Sequence, residues 1–190
     1  MTEEIPDHHL MSSIAQGDER ALRLLIERHS KAVYGTIFKM IGDATEAEDL
    51  SQRVFIRVYQ SASRYRPEAQ FTTWLMTITR NLVLNEYRRR QRKPWDSIFS
   101  SEEEEPREFA DSHQRTPDQN LQELELREAI DKALLALPEK QRLAMILSRY
   151  QEMSYEEISK TLKISLASTK SHLFRARETL KGSLSKYLQP

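Results

Sequence analysis

Residues 154–177 read SYEEISKTLKISLASTKSHLFRAR, and this stretch decides the fold of the C-terminal part of the chain. Ser154 is followed three residues later by Glu157, a capping box that starts a helix. Residues 163–165 form a short break, and Ser165 can cap a second helix. Two helices joined by so short a connection predict a helix-turn-helix.

The second of these helices has two different faces. Its apolar positions recur at steps of three and four and predict a buried stripe: Leu166, Thr169, Leu173, Ala176 and Leu180. The opposite face carries Lys170, Ser171, Phe174 and Arg175, with Arg177 at its edge. Reading the major groove of DNA requires a basic face with hydroxyl groups. The alternative is an ordinary helical hairpin, but the caps, the turn, the stripe and the basic face together favour DNA binding.

The composition of the 190 residues favours an all-helical protein, because the chain has only 4 Gly and is rich in Leu, Glu, Arg and Ala. The absence of Cys excludes disulfides, thiolate metal sites and a Cys nucleophile. No apolar run approaches the roughly 20 residues of a membrane span. The N-terminus lacks the basic and apolar regions of a signal peptide, so we expect a reducing, cytoplasmic location.

The net charge of zero conceals a strong partition along the chain. Residues 1–94 hold 15 basic and 12 acidic residues, residues 95–125 hold 2 and 10, and residues 126–190 hold 12 and 7. Two basic parts joined by an acidic one indicate two contacts with a polyanion. We predict one helical domain over 1–94, a flexible acidic linker over 95–120 and a second helical domain over 121–190.

Helix signals divide the first domain into four helices. Asp7 can cap a short helix through Gln16, and a longer helix starts at Gly17-Asp18 and ends at Gly42. Thr45 and Glu48 form a second capping box, with five inward positions after it: Ala47, Leu50, Val54, Phe55 and Val58. The loop Ser63 to Gln70 precedes a fourth helix from about Thr73 to Arg90.

Several segments together resemble bacterial sigma factors of the extracytoplasmic-function class. In the first domain these are Gly17-Asp18 with Ala21-Leu22, Ala47 to Gln52 with Val54-Phe55, and Phe71 to Leu75 with Asn81. In the second they are Leu137-Pro-Glu, Ser154 to Ile158 and Phe174 to Arg177. Each motif alone is weak, but their order and spacing over nearly the whole chain are specific.

The resemblance implies a transcription initiation factor with no catalysis of its own and no cofactor. Its first domain would bind core RNA polymerase and the −10 promoter element, and its second domain would bind the −35 element. The implied partners are the β and β′ subunits of the polymerase, promoter DNA and a separate anti-sigma factor. Such a protein is cytoplasmic without membrane insertion, although an anti-sigma factor can hold it at the membrane.

Site residues carried over by position form three groups. Those for docking on the polymerase clamp are Asp49, Leu50, Gln52 and Phe55. Those for the −10 element are Tyr65, Arg66, Gln70, Arg80, Asn81, Arg88, Arg89 and Arg90. Those for the −35 element are Lys170, Ser171, His172, Phe174, Arg175 and Arg177. Arg53, Ser168 and His172 depart from the family, which usually has an acidic residue, Gly and Arg at these positions.

For several of these residues the alternative is a purely structural role. We expect at least one of Leu50 and Phe55 to be core, and we favour core packing for Phe71 and Trp74. The basic run Arg88 to Lys93 could be a solvated helix end, but Tyr65 and Asn81 beside it favour phosphate binding.

Other classes of function find less support in the sequence. His8 and His9 are adjacent, but no third metal ligand follows at a suitable spacing, so no metal site is expected. A response regulator or repressor would need an α/β receiver or ligand domain, which residues 1–94 do not indicate. A helical adaptor that binds only protein would not need the basic faces.

Overall fold

The computed structural model describes residues 5–92 and 117–187. These two ranges contain eight α-helices and two single 3₁₀ turns, Ala62–Arg64 and Ser185–Tyr187, and no β-strand. The helices are α1 (Asp7–Ala15), α2 (Glu19–Ile41), α3 (Ala44–Ser61), α4 (Phe71–Arg92), α5 (Pro117–Leu135), α6 (Glu139–Tyr150), α7 (Tyr155–Leu162) and α8 (Leu166–Ser183). The all-α prediction is confirmed. Most of the predicted acidic linker lies outside the described residues.

The ends of α2 follow from local sequence as predicted. The carboxylate of Asp18 accepts from the backbone N–H of Arg20 at 2.8 Å and of Ala21 at 3.2 Å. The helix ends at Gly42 with a φ of 77°, a left-handed conformation that glycine adopts without strain. A Cβ atom at this position would lie 2.8 Å from the Leu135 side chain of α5. Gly42 therefore serves both the helix end and the approach of a later helix.

Two predicted helix starts were wrong. The cap of α3 is Asp43, whose carboxylate accepts from the Glu46 N–H at 2.9 Å, and not the pair Thr45 and Glu48. Asp43 has the extended backbone that a cap requires, whereas Thr45 is already helical. Asp7 is the first residue of α1 and does not cap it, because its carboxylate faces Arg28 and His29 of α2.

The helix-turn-helix has the predicted local chemistry. The Ser154 hydroxyl accepts from the Glu157 N–H at 3.2 Å, and the Glu157 carboxylate accepts from the Ser154 N–H at 2.8 Å. Lys163 ends α7 in a left-handed conformation, with a φ of 54°. Ser165 then caps α8 by accepting from the Ser168 N–H at 3.1 Å.

The N-terminal and C-terminal helices share one apolar core. Helix α2 packs against α5 and α6, and α4 packs against α7. The five predicted inward positions of α3 are all buried in this core, and so are Leu143, Ile146, Leu147, Ile158 and Leu162 of the C-terminal part. A smaller cluster lies within the C-terminal helices alone: Leu134, Leu137, Met145 and Ala176.

Polar contacts also join the two parts of the chain. The guanidinium of Arg142 is buried and donates to the carbonyl of Met40 at 2.6 Å, to that of Leu137 at 2.9 Å and to that of Leu135. Further contacts between the parts include those of Lys39 with Asp131 at 2.9 Å, of Gln151 with Thr36 at 3.1 Å and of Thr73 with Glu157 at 3.2 Å. The sequence predicted two separate helical domains, and it predicted none of these contacts between them.

Candidate nucleic-acid and polymerase interfaces

The outer face of α8 is exposed, as the predicted −35 reader requires. Lys170, Ser171 and Arg175 are exposed, and the ring of Phe174 is 65 % exposed. Beneath them Thr169, Leu173 and Ala176 are completely buried, whereas Leu166 and Leu180 at the ends of the stripe are half-buried. The buried stripe fixes the rotation of the helix, so the basic face and one large apolar ring point away from the protein.

Two other predicted −35 residues differ from these, because one contacts α7 and the other is half-buried. Arg177 is exposed, but its guanidinium donates to the Tyr155 hydroxyl of α7 at 3.0 Å. His172 is half-buried, and its Nδ1 atom is buried without a hydrogen-bond partner. Burial lowers the pKa of His172, and the nearby charges of Lys140 and Arg175 lower it further. His172 is therefore a neutral ring next to two cations and supplies no charge of its own to this face.

The predicted −10 loop carries a cluster of aromatic rings. Tyr65 follows the 3₁₀ turn Ala62–Arg64, and its ring lies 4.9 Å from that of Trp74 and 6.0 Å from that of Phe71. Burial, followed by the charge of Asp7, raises the pKa of Tyr65. The expectation of core packing is confirmed for Phe71, which is 6 % exposed, whereas Trp74 is half-buried.

The polar members of the −10 group lie in the loop before α4 and along that helix, and of these Arg80 is half-buried. Arg66 and Gln70 are exposed in the loop. Asn81 is exposed, and its side-chain oxygen accepts from the Arg80 guanidinium at 3.0 Å. Burial and the charge of Arg88 lower the pKa of Arg80. Loop and helix thus both carry amide and cationic side chains of the predicted −10 group.

The basic run at the end of α4 is partly neutralised within the protein. The Arg89 guanidinium lies 2.6 Å from the carboxylate of Glu86, a residue only 6 % exposed, and 3.7 Å from that of Glu46. Its charge therefore compensates a buried acid of the protein itself. Arg88 is exposed, and the side chain of Arg90 lies outside the described residues.

Helix α3 exposes only the polar members of its predicted polymerase group. Asp49 and Gln52 are exposed, but Leu50 is 2 % and Phe55 8 % exposed, so both apolar members of the predicted polymerase group are core residues. They complete the apolar face by which α3 packs on α2 and α4, which leaves them no surface to offer a partner. The carboxylate of Asp49 lies 2.8 Å from the Arg53 guanidinium.

Two exposed apolar residues on α3 were missed by the sequence analysis. Ile56 and Tyr59 are each 54 % exposed. They follow Gln52 at steps of four and three, so the same helical spacing that identified the buried face could have found them. Exposed Asp49, Gln52, Ile56 and Tyr59 form a surface that we call the α3 outer face.

No helix in the described ranges is both long and apolar enough to cross a membrane. The His, Asp and Glu residues within the same ranges form no group that could hold a metal ion.

The fold and the exposed surfaces define an all-helical DNA-binding protein with a C-terminal helix-turn-helix. Comparison with known families adds that Sigma-70 region 2 matches residues 25–93 and Sigma-70 region 4 matches residues 127–180. The chain belongs to the sigma-70 family, within the extracytoplasmic-function (ECF) group of RNA polymerase sigma factors. Its role is in transcription initiation.

Similar proteins cover almost the full chain. The RNA polymerase sigma-H factor of Pseudomonas aeruginosa is 31 % identical over 188 residues, which are 97 % of this chain and 94 % of that protein. The ECF RNA polymerase sigma factor SigW of Bacillus subtilis is 30 % identical and covers 92 % of this chain and 94 % of its own.

Solved structures share the fold. CnrH, in complex with the cytosolic domain of CnrY, matches with a TM-score of 0.69 at 22 % identity, over 95 % of this chain and 97 % of that one. The sigma factor RpoE of Bartonella quintana, in complex with the anti-sigma factor NepR, has a TM-score of 0.69 at 23 % identity, over 86 % and 96 %.

Proposed function

We propose that this chain binds core RNA polymerase, directs it to promoters with −35 and −10 elements and helps to melt the −10 region, without catalysis of its own. The observation that carries the proposal is the exposed face of α8, where Phe174 is 65 % exposed between cationic and hydroxyl side chains. A large exposed ring is unfavourable in water but can pack against a thymine methyl group in the major groove. Lys170 and Arg175 on either side of it can contact base edges and phosphates.

The −10 element would be recognised by the loop Tyr65 to Gln70 and by α4. Capture of a flipped base requires an aromatic surface and hydrogen-bonding groups, and the energy of capture must offset a few kcal/mol of unstacking. Tyr65 supplies the aromatic surface, and exposed Gln70 and Asn81 supply amide groups. Arg66, Arg80 and Arg88 would hold the strand through its phosphates.

Docking on the polymerase would use the α3 outer face. Ile56 and Tyr59 offer apolar area, and Asp49 and Gln52 offer polar groups beside it. This combination of an apolar centre with a polar border is typical of protein interfaces. In this proposal the buried residues Leu50 and Phe55 support the surface from beneath and make no direct contact.

A separate anti-sigma protein is the further partner that we propose. CnrH and the Bartonella quintana RpoE, which share the fold, were each solved with a second protein, and the latter is named as an anti-sigma factor. The proposal adds a cytoplasmic location, in which such a partner could hold the chain at the membrane.

Run-off transcription with purified core RNA polymerase tests the proposed function. The full chain should direct specific starts on genomic DNA fragments, and mapping of these starts should give promoters with two shared elements. Ile56→Ala and Tyr59→Ala should weaken binding to core enzyme but leave DNA binding by α8 intact, with exposed Leu24→Ala on α2 as the matched control. DNA binding without any specific start would reduce the function to that of a DNA-binding module.

A further inference from the structure

A buried polar pair lies beneath the −10 loop. His29 of α2 is 7 % exposed, and its Nε2 atom lies 3.0 Å from the carboxylate of Asp7 at the start of α1. Burial lowers the pKa of His29, which outweighs the opposing effect of the Asp7 charge. The ring is therefore neutral, and the short distance to a carboxylate requires that Nε2 carries the hydrogen and donates a hydrogen bond to Asp7.

Aromatic contacts connect this pair to the loop. The His29 ring lies 5.1 Å from the ring of Phe71, and Phe71 lies 6.0 Å from Tyr65 and 5.6 Å from Trp74. Edge and tilted contacts at these distances fix the relative orientation of neighbouring rings. A continuous series of contacts thus runs from Asp7 through His29 and Phe71 to Tyr65.

Helix α1 makes a second connection to the same loop. It has only nine residues and no side-chain cap, so it would be marginal alone and depends on the contacts that hold it. Arg28 holds its start by donating to the Asp7 carboxylate and, at 3.0 Å, to the Ile5 carbonyl. The helix packs against the 3₁₀ turn Ala62–Arg64, which directly precedes Tyr65. Asp7 therefore anchors both the ring series and the backbone that leads into the loop.

We propose that Asp7 and His29 are positioning residues that hold Tyr65 in place for capture of a −10 base. The inference rests on the proposed function, because it assumes that Tyr65 meets DNA. A loop that is ordered before binding avoids the ordering cost at the moment of capture. Loss of the Asp7–His29 contact would leave the rings in place on average but let Tyr65 move, so that capture of the flipped base becomes weaker.

The test uses the full chain in holoenzyme and a promoter found by run-off mapping. His29→Leu, Tyr65→Ala and the double variant would be compared in the rate of open-complex formation, read by permanganate reactivity of −10 thymines. We expect His29→Leu to slow opening about tenfold, since it removes a hydrogen bond to a charged group. Because His29 acts through Tyr65, the double variant should be no slower than Tyr65→Ala within about twofold. His9→Leu, at an exposed position of α1, should match the wild type.

The possible outcomes of this double-variant cycle distinguish the inference from the proposed function. Multiplied effects in the double variant, or lowered core binding by His29→Leu, would mean a general structural role and would overturn the inference. Normal opening by His29→Leu together with slow opening by Tyr65→Ala would overturn it and leave the proposed function standing. Normal opening by Tyr65→Ala would overturn both. If His29→Leu does not fold, Asp7→Ala replaces it in the cycle, because it removes the acceptor of the His29 hydrogen bond but keeps the contact between the His29 and Phe71 rings.

Discussion

The two candidate DNA-reading surfaces are built in different ways. Helix α8 is capped by its own neighbour Ser165, and its buried stripe packs on α5, α6 and α7 of the same part of the chain. The −10 loop and α4 depend on residues far away in sequence, including Asp7, His29 and Glu157. A surface on one helix is thus specified locally, whereas a surface built from a loop requires distant residues to position it.

The −10 surface lies partly on a helix that also joins the two parts of the chain. Helix α4 packs against α7, and Thr73 of α4 donates to Glu157, which closes the capping box of α7. The exposed face of α8 has no such neighbour among its main packing partners. Substitutions that weaken the packing between the two parts should therefore affect the −10 surface more than the −35 surface.

The largest effect is expected from Arg142→Ala. Arg142 is 4 % exposed and donates to carbonyl groups of both parts of the chain, and its loss would leave these carbonyls buried without donors. We expect the free energy of unfolding to fall by about 3 kcal/mol, measured by urea denaturation. Arg149→Ala, at an exposed position of the same helix, should change it by less than about 0.5 kcal/mol. Equal stability of the two variants would contradict the assigned role of Arg142.

The −35 surface should respond strongly in DNA binding and weakly in stability. Lys170→Ala and Arg175→Ala should each weaken promoter binding by about 1–3 kcal/mol where the side chain reads a base, with relaxed sequence preference. Where the side chain holds a phosphate, affinity should fall uniformly and the salt slope by about one. We expect Lys170 to read a base and Arg175 to do both. Binding measured over a salt series separates these effects.

The control for this pair is Lys181→Ala, an exposed residue at the far end of α8. It removes the same charge from the same helix and should leave sequence preference unchanged. If all three variants bind alike, α8 attracts DNA only by charge and does not read the element.

A smaller effect is expected from Asn81→Ala on the −10 surface. Loss of one neutral hydrogen bond to a base should cost about 1 kcal/mol, and only after the strands separate. Open-complex formation should therefore fall while closed-complex binding stays unchanged, as read by permanganate reactivity and by footprinting. Asn85→Ala, exposed one turn further along α4, is the matched control. An equal loss in both variants would remove the specific role of Asn81.

The smallest effect is expected from Arg53→Ala, next to the α3 outer face. Arg53 and Asp49 form an exposed ion pair one turn apart, so stability should change by less than about 0.5 kcal/mol. The carboxylate of Asp49 would become available, and binding to core polymerase should become slightly tighter, whereas Asp49→Ala should weaken it. Titration with labelled core enzyme measures both, with exposed Arg57→Ala as the control. Tighter binding after loss of Asp49 would reverse the assignment.

Local signals predicted much of the fold correctly, and their failures have physical reasons. The capping box at Ser154, the glycine end at position 42 and the inward positions of α3 were all predicted, because each depends on residues within one or two turns. The cap at Thr45 was wrong because Asp43 two residues earlier offers an equally good acceptor. Local spacing alone cannot choose between two acceptors, so the helix start could be placed only to within a few residues.

The residues of the candidate sites also differ in whether local sequence was enough to assign them. The exposed residues of α8 and the polar members of α3 could be assigned from periodicity and family resemblance. Whether Leu50 and Phe55 faced a partner or the core could not be assigned for each residue, because this depends on how α2 and α4 pack on the apolar face of α3. Helical spacing from Gln52 also predicts exposed positions at Ile56 and Tyr59, which lie outside the family motif of residues 47–52.

The sequence by itself determined the helices, the helix-turn-helix and the family, since these depend on local spacing, capping and the order of motifs. Only the tertiary structure decided that the two parts pack on one core, that Asp7 holds His29 instead of capping α1, and that Arg142 bonds carbonyls of α2 and of its own part. Each of these contacts joins residues more than twenty positions apart or competes with a local alternative. Such contacts are fixed by the packing of whole helices, which no short stretch of sequence contains.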